Sequence, residues 1–418
     1  MRIAIVGAGI SGITCAHRLH RDHDITVYEA NDYCGGHTHT LNVDRGTGRY
    51  AIDTGFVVFN DRTYPNFIQL LTECGVSSKP TEMSFSLTCE RTGLEYNGHS
   101  LNTLFAQRRN LLRPSFHRML WDILRFNRRA RSILQEPDSG ETLADYLARH
   151  RYSGTFSDDY LVPMASAIWS AQAEQTVQMP LRFFVRFFDN HGLLSVADRP
   201  QWRVIAGGSR EYVTRLIAPF RRKIRLGCPV VRIRRSSGTV AVTGAGGNGG
   251  GNTEDYDHVI LATHSDQSLR MLADPTAEER SILTAIPYQE NESVVHTDTR
   301  LMPRSKRAWA AWNYHRPSHP QDRVAVTYNM NILQGLTAPM TFLVTLNHAA
   351  RILPDKVIAR MTYHHPLYTR AGIEAQDRWG EINGVRRTWY AGAYWGYGFH
   401  EDGVKSALAV CKRFGKEL

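Results

Sequence analysis

The opening segment RIAIVGAGISGITCAHRLHRDHDITVYE leaves a chain little choice of local fold. An apolar run at 3–6 reads as a strand, Gly7, Gly9 and Gly12 follow in GxGxxG spacing, a helix starts near Ser11, and a second strand closes on Glu29. The glycines serve different ends. Gly7 permits the tight turn, Gly9 lets backbone approach a pyrophosphate, and Gly12 allows the helix to pack closely on the strand. The unpaired N–H groups and positive dipole end of the helix then point at that anion. Glu29 lies roughly 20 positions after the first glycine, where a carboxylate accepts hydrogen bonds from an adenosine ribose and disfavours a 2′-phosphate. Strand, glycines, helix, strand and acid in register predict a dinucleotide-binding unit that does not take NADP.

Further landmarks follow in order: Cys34-Gly35-Gly36-His37, Asp53-Thr54-Gly55, Ala206-Gly207-Gly208-Ser209, Pro229-Val230-Val231-Arg232-Ile233, Val259-Ile260-Leu261-Ala262-Thr263, Tyr390-Ala391-Gly392, and Gly398-Phe399-His400-Glu401-Asp402-Gly403-Val404. On these residues the chain resembles the flavin-dependent amine oxidase and phytoene desaturase superfamily from end to end. The resemblance implies an α/β fold: a Rossmann-like FAD-binding domain of the glutathione-reductase type with an interleaved α+β substrate domain. It implies FAD rather than NAD, and the cofactor-binding residues it points to are Gly7, Gly9, Ile10, Ser11, Gly12, Glu29, Ala30, Gly35, Gly36, His37, Thr38, Thr54, Gly55, Val230, Ala262, Gly392, Asp402, Gly403 and Val404. Three positions depart from the pattern. His37 stands where an arginine often follows the glycine pair, Ala393 stands where many relatives carry an acid, and no cysteine precedes the closing motif. FAD is therefore expected to be non-covalent, with His37 and His39 as the alternative attachment points.

These landmarks cluster in 1–75, 205–285 and 375–418, so the FAD-binding domain is expected to be discontinuous, with 76–204 and 286–374 forming the substrate domain. In the substrate domain Phe85, Leu87 and Cys89 alternate with polar residues before the chain turns helical, while VAVTY at 324–328 and TFLVT at 341–345 read as strands. The stretch 244–252, almost all glycine and small polar residues, reads as a flexible hairpin tip.

With 418 residues, 42% of them hydrophobic, the chain can bury two lobes around one large site. Its six cysteines, at 15, 34, 74, 89, 228 and 411, have neither the spacing of a disulfide framework nor that of a zinc site, and no metal is expected. No signal peptide is expected ahead of the first strand, and no apolar run of about 18 residues could span a bilayer. A cytoplasmic location is expected, extending to the inner face of the membrane if the next segment meets lipid.

That segment is 101–135, with eight arginines (108, 109, 113, 118, 125, 128, 129 and 131) against one acid, Asp122, interleaved with Leu111, Leu112, Phe116, Met119, Leu120, Trp121, Ile123, Leu124 and Phe126. Pro114 is expected to divide it into two helical pieces. Two readings stay open: a basic, apolar face attracted to an anionic bilayer, or a solvated helical face over a core-facing stripe. The formal charge of +10 also suggests an anionic partner, but no nucleic-acid motif accompanies it, and no nucleic acid is expected.

LRFFVRFF at 181–188 suits either a buried core helix or the wall of a tunnel for an apolar substrate. Met302-Pro303, Ala308-Trp309-Ala310-Ala311-Trp312-Asn313-Tyr314, Tyr328-Asn329-Met330-Asn331-Ile332-Leu333-Gln334 and Thr345-Leu346-Asn347 resemble a narrower branch of the superfamily. Its members are FAD-binding oxidoreductases related to the N-terminal region of plant cyclopropane fatty-acid synthases and to flavoproteins of methyl-branched and furan fatty-acid synthesis. The resemblance implies an acyl lipid or other apolar small molecule as substrate, losing a hydride equivalent to flavin. Tyr394, Tyr397, His400 and Glu401 are the candidate catalytic residues, being nearest in sequence to the closing motif. Two alternatives remain: an amine oxidase using Tyr394, Trp395 and Tyr397 as an aromatic cage, and a flavin-binding accessory subunit that docks a lipid methyltransferase.

Overall fold

The computed structural model describes residues 1–46, 48–195, 199–245, 251–319 and 323–416. Five parallel strands carry the glycine turn, in the order Ile224–Arg225, Asp24–Tyr28, Arg2–Val6, His258–Leu261 and Thr388–Tyr390. Successive side chains of a strand point to opposite faces, so Ile3 and Ile5 join one core while Ala4 and Val6 join another. The first core is closed by the helices Ile10–Leu19, Arg210–Ile217 and His400–Arg413 through Ile13, Leu216 and Val410. The second is closed by an antiparallel sheet of Val230–Arg235, Val240–Gly244 and Asn252–Tyr256. Both faces are covered, which is why these central strands are almost continuously apolar.

Gly244 pairs with Asn252, so the glycine-rich stretch joins two strands of a hairpin; residues 246–250 of its expected flexible tip lie outside the described residues. Arg235 on this sheet is fully buried and donates to Glu279 and Asp274, while Tyr390 donates its hydroxyl to Glu279 at 2.6 Å.

A second lobe, formed from the segments expected to make the substrate domain, is built on a seven-stranded sheet in the order Val357–Pro366, Tyr288–His296, Leu343–Leu346, Ala325–Asn329, Trp312–Arg316, Phe85–Cys89 and Leu94–Asn97. The strands read at 324–328 and 341–345 are shifted slightly toward the C-terminus. The first ends at Asn329, whose side chain accepts from the Asn331 and Ile332 N–H groups and starts a helix there. A small sheet of Val58–Asn60, Trp202–Ile205 and Ser78–Pro80 stitches the lobes together, and the helix Arg370–Asp377 runs through position 375. Helices from the basic segment and the helix Leu181–Asn190 share one apolar cluster, with Phe116, Met119, Phe126, Phe184, Trp169 and Tyr368 among its members.

Pro114 begins a helix, Pro114–Ala130, preceded by the short turns Leu101–Leu104 and Arg108–Leu112. Among the described residues no helix is long and apolar enough to cross a membrane, all six cysteines are free, and no group of side chains is arranged to hold a metal ion.

Candidate cofactor and substrate site

The glycine turn is shaped by contact as much as by conformation. Gly7 has φ +99°, and a Cβ there would lie 2.7 Å from the Ala262 carbonyl oxygen; a Cβ on Gly12 would collide with the Gly7 carbonyl. Around Gly9, by contrast, a Cβ would meet nothing within 4 Å. Open space therefore lies directly before the helix Ile10–Leu19, whose first N–H groups have no intrahelical partners.

At one end of this space Glu29, buried beside Ala30, accepts from the Ala8 N–H at 2.7 Å and from the Asn31 N–H and side chain at 2.9 Å. Oε1 takes both bonds from Asn31, while Oε2 takes only the one from Ala8 and keeps a lone pair for a ribose hydroxyl. Val230 is buried in the adjoining hairpin sheet, beside Tyr28 in the second core. Gly35 donates to the Ala8 carbonyl at 2.8 Å, bringing the glycine pair against the first turn, and a Cβ on Gly36 would meet Gly9 at 3.2 Å.

At the other end the closing helix His400–Arg413 packs on the first helix. A Cβ on Gly403 would meet Ile10 at 2.7 Å, Val404 is fully buried, and the Gly392 N–H is held by the Ser406 hydroxyl at 2.9 Å. Thr54 bonds the Tyr363 hydroxyl at 2.6 Å, and Gly55 lies against the His37 carbonyl. Asp53, visible in the sequence only as part of a motif, is wholly buried. It accepts from Thr40, from the backbone and hydroxyl of Ser209 and from Gln334, tying three segments under the site, and burial pushes its carboxyl up to about 6.

No sequence pattern signals the cluster around His37. Its ring stacks on Tyr363 at 5.1 Å and lies 5.4 Å from His365 and 6.0 Å from His264, which in turn stacks on Tyr288 at 4.5 Å. Burial pushes His37 down to about 4, and His264 and His365 to about 3, with the neighbouring imidazoles adding to the shift of the latter two. The position that carries an arginine in relatives is therefore uncharged here. Only composition could have hinted at the cluster, since its members come from four separate segments.

The four candidate catalytic residues fare differently. Glu401 accepts from the Asn66 N–H and side chain and from the Phe67 N–H at 3.0 Å, and so caps the helix Pro65–Glu73. Asp402 folds back to accept from the Tyr397 and Phe399 N–H groups at 3.1 and 3.0 Å, bracing the closing turn from within. His400 shares Nε2 between Thr38, at 2.9 Å, and Tyr212, at 3.0 Å, and its ring stacks on Phe56; burial holds it well below the ordinary imidazole range. Tyr394 lies over Gly392 and against Trp395, its hydroxyl buried without a partner. Tyr397 faces the other way, 4.7 Å from Phe183 and 5.5 Å from Phe187. The aromatic cage of Tyr394, Trp395 and Tyr397 that the amine-oxidase alternative would use is thus not assembled as one box.

The family model for flavin containing amine oxidoreductases matches residues 10–311, well over half of the chain. The chain belongs to this family. Among solved structures, this flavoprotein is similar to a cyclohexylamine oxidase from Brevibacterium oxydans IH-35A, with a TM-score of 0.70, 17% identity and 99% of each chain covered. It is similar to a CLA-producing fatty acid isomerase from P. acnes, with a TM-score of 0.70, 16% identity and coverage of 99% of this chain and 98% of that one. A reduced UDP-galactopyranose mutase matches with a TM-score of 0.69 and 15% identity, covering 99% and 94%. These likenesses establish the fold, and the family establishes an FAD-dependent oxidoreductase.

The residues present fit FAD. Gly9, Gly36, His37, Ala262, Thr263, His264 and His365 all stay partly exposed, and with the open space at Gly9 they mark the cleft in which FAD would lie. His37 Nε2 is buried there without a partner. A helix N-terminus and backbone amides serve a pyrophosphate, and Glu29 serves a ribose.

Proposed function

We propose that this flavoprotein removes a hydride equivalent from an unsaturated or methyl-branched fatty acyl chain, introducing a further double bond. The observation that carries this reading is the aromatic wall beside the closing turn. Phe183 stacks on Tyr368 at 5.1 Å, Trp169 lies 4.6 Å from Phe187, and Phe187 stacks on Phe399 at 5.1 Å. Tyr368 abuts Gly398, so the wall reaches the segment that closes the flavin cleft. Trp169, Phe187 and Tyr368 are buried in the apolar cluster and back the partly exposed rings of Phe183, Tyr397 and Phe399, which are the groups that would meet an apolar chain.

FAD, when bound, accepts the hydride equivalent. A proton must leave as well. Burial keeps the Tyr394 phenol protonated far above its usual range and raises that of Tyr397 to about 12, so neither takes a proton at neutral pH. Glu401 is engaged as a helix cap and His400 is held between two hydroxyls. His37 Nε2 is free of protein partners and can accept a hydrogen bond, but burial, which pushes the ring down to about 4, disfavours its keeping a proton at neutral pH. Asp402 holds the closing turn in place through the Tyr397 and Phe399 N–H groups.

Anaerobic mixing of the holoenzyme with phospholipids carrying monounsaturated or methyl-branched chains tests this. Bleaching of the oxidised flavin band, with two hydrogens missing from the recovered lipid, is the expected result. Bleaching by amines with acyl lipids inert would replace it with an amine oxidase, and a flavin that no lipid bleaches, in stable complex with a lipid methyltransferase, would replace it with an accessory role.

A further inference from the structure

Among the described residues ten large apolar side chains stand exposed, and five of them fall between 101 and 124: Leu101 (77%), Leu111 (51%), Leu112 (88%), Trp121 (53%) and Leu124 (58%). The sequence alone could not say which of the aliphatic and aromatic groups in the basic segment face inward. Phe116, Met119 and Phe126 do, and these others do not. Trp121 and Leu124 lie within one turn of each other on the outer face of Pro114–Ala130, and Leu111 and Leu112 sit on the turn before it, fastened by a 2.8 Å hydrogen bond between His117 and the Leu111 carbonyl.

The charges around these side chains all have one sign. Asp122, the single acid of the segment, is buried between Arg118 at 3.1 Å and Arg125 at 3.6 Å and accepts from the Ser153 N–H, so it presents no negative charge outward. The guanidiniums of Arg118 and Arg125 flank the Trp121 ring at 4.8 and 5.3 Å. Among the described residues no carboxylate pairs with Arg108, Arg109, Arg113, Arg128 or Arg129, and Arg108 and Arg109 are steadied instead by backbone carbonyls. Lys306 and Arg307 lie on a turn packed beside Leu101–Leu104 and are exposed, extending the basic rim.

We propose that this face docks on an anionic lipid bilayer, with Leu111, Leu112, Trp121 and Leu124 entering the headgroup boundary and the arginines pairing with lipid phosphates. Indole and leucine beneath a ring of guanidiniums match the layered polarity of that boundary, and the charge matches its sign. A protein partner would not need Arg108, Arg109, Arg113, Arg128 and Arg129 all to stay free of carboxylates. The inner side of the same helix shares its apolar cluster with Trp169 and Tyr368, so the docking face and the aromatic wall are two sides of one apolar body. The docking proposal stands on the exposed residues alone and does not depend on the acyl-chain reading.

Flotation of the holoprotein with vesicles of phosphatidylcholine, and with vesicles doped with phosphatidylglycerol, tests the proposal. Binding is expected only to the doped vesicles, weakening in high salt. Leu112→Asp and Trp121→Asp, both at exposed positions, should abolish it with the flavin spectrum unchanged, and Arg128→Ala and Arg129→Ala should each weaken it about fivefold. Absence of binding, or equal binding to both vesicles, would overturn the proposal. So would a concentration-dependent dimer that the same aspartate substitutions dissolve, because the occupant would then be a second copy of the chain.

Discussion

Ser11 donates its hydroxyl to the Gly403 carbonyl at 3.0 Å, joining the helix that leaves the glycine turn to the helix that closes the cleft. The two helices touch because position 403 has no side chain. The cofactor cleft therefore depends on a packing contact between residues 392 positions apart, and this contact can be tested directly.

Gly403→Ala would place a methyl 2.7 Å from Ile10 and 3.1 Å from Ser11. Overpacking of this kind costs about 1–3 kcal/mol. The thermal midpoint should fall and the ratio of flavin to protein absorbance should drop with it. Full flavin occupancy at the parental midpoint would mean that the helices can separate without consequence.

Glu401→Gln separates capping from catalysis. Loss of the charge weakens the bonds from Asn66 and Phe67, a change of about 1–2 kcal/mol. Reductive bleaching of the bound flavin should keep its rate while the urea midpoint declines. The reverse pattern would return Glu401 to the reacting groups.

The imidazole cluster predicts acid sensitivity. His37, His264 and His365 titrate near 4, 3 and 3 when folded but at 6.5 when unfolded, so below pH 6.5 the unfolded chain takes up protons first and stability falls as pH falls. Asp53 and Asp402, raised to about 6 by burial, act with the opposite sign: their contribution is greatest below 3.8 and is lost as pH rises through about 6. Three histidines outweigh two acids, so the thermal midpoint should decline between pH 7 and pH 5, and His365→Asn should flatten the decline. An unchanged slope in that variant would remove the cluster as its cause.

Arg235 and Glu279 form a pair with essentially no exposed side-chain surface. Removing one partner leaves a buried charge uncompensated, which costs about 3–5 kcal/mol. Arg235→Leu should therefore unfold at much lower urea, and the double variant Arg235→Met with Glu279→Leu should recover most of the loss. A single variant as stable as the parent would show that water reaches the site.

The nucleotide-binding half of the cleft was legible because its determinants are local. Gly7, Gly9, Gly12 and Glu29 fall within one strand–helix–strand unit, and the tight turn at Gly7 and the close packing at Gly12 that their spacing predicts are the contacts observed around Ala262. The substrate side was not legible to the same degree. His37, His264, Tyr288, Tyr363 and His365 meet only through the order of strands in two sheets, which periodicity does not encode. Proximity in sequence to the closing motif was a poor guide to chemistry: Glu401 and Asp402 turn back onto backbone N–H groups, as acids at helix starts commonly do. Helical spacing likewise could not say which side of Pro114–Ala130 met solvent until the position of the core was known.

The parallel sheet draws its strands from both ends of the chain: Arg2–Val6 lies beside His258–Leu261, which lies beside Thr388–Tyr390. During synthesis the first strand and its glycine turn must wait, partly uncovered, until position 390 has emerged. The coenzyme can thus be captured only after the strand Thr388–Tyr390 has been made, and in the interval the exposed strand edges are open to chaperones and to aggregation.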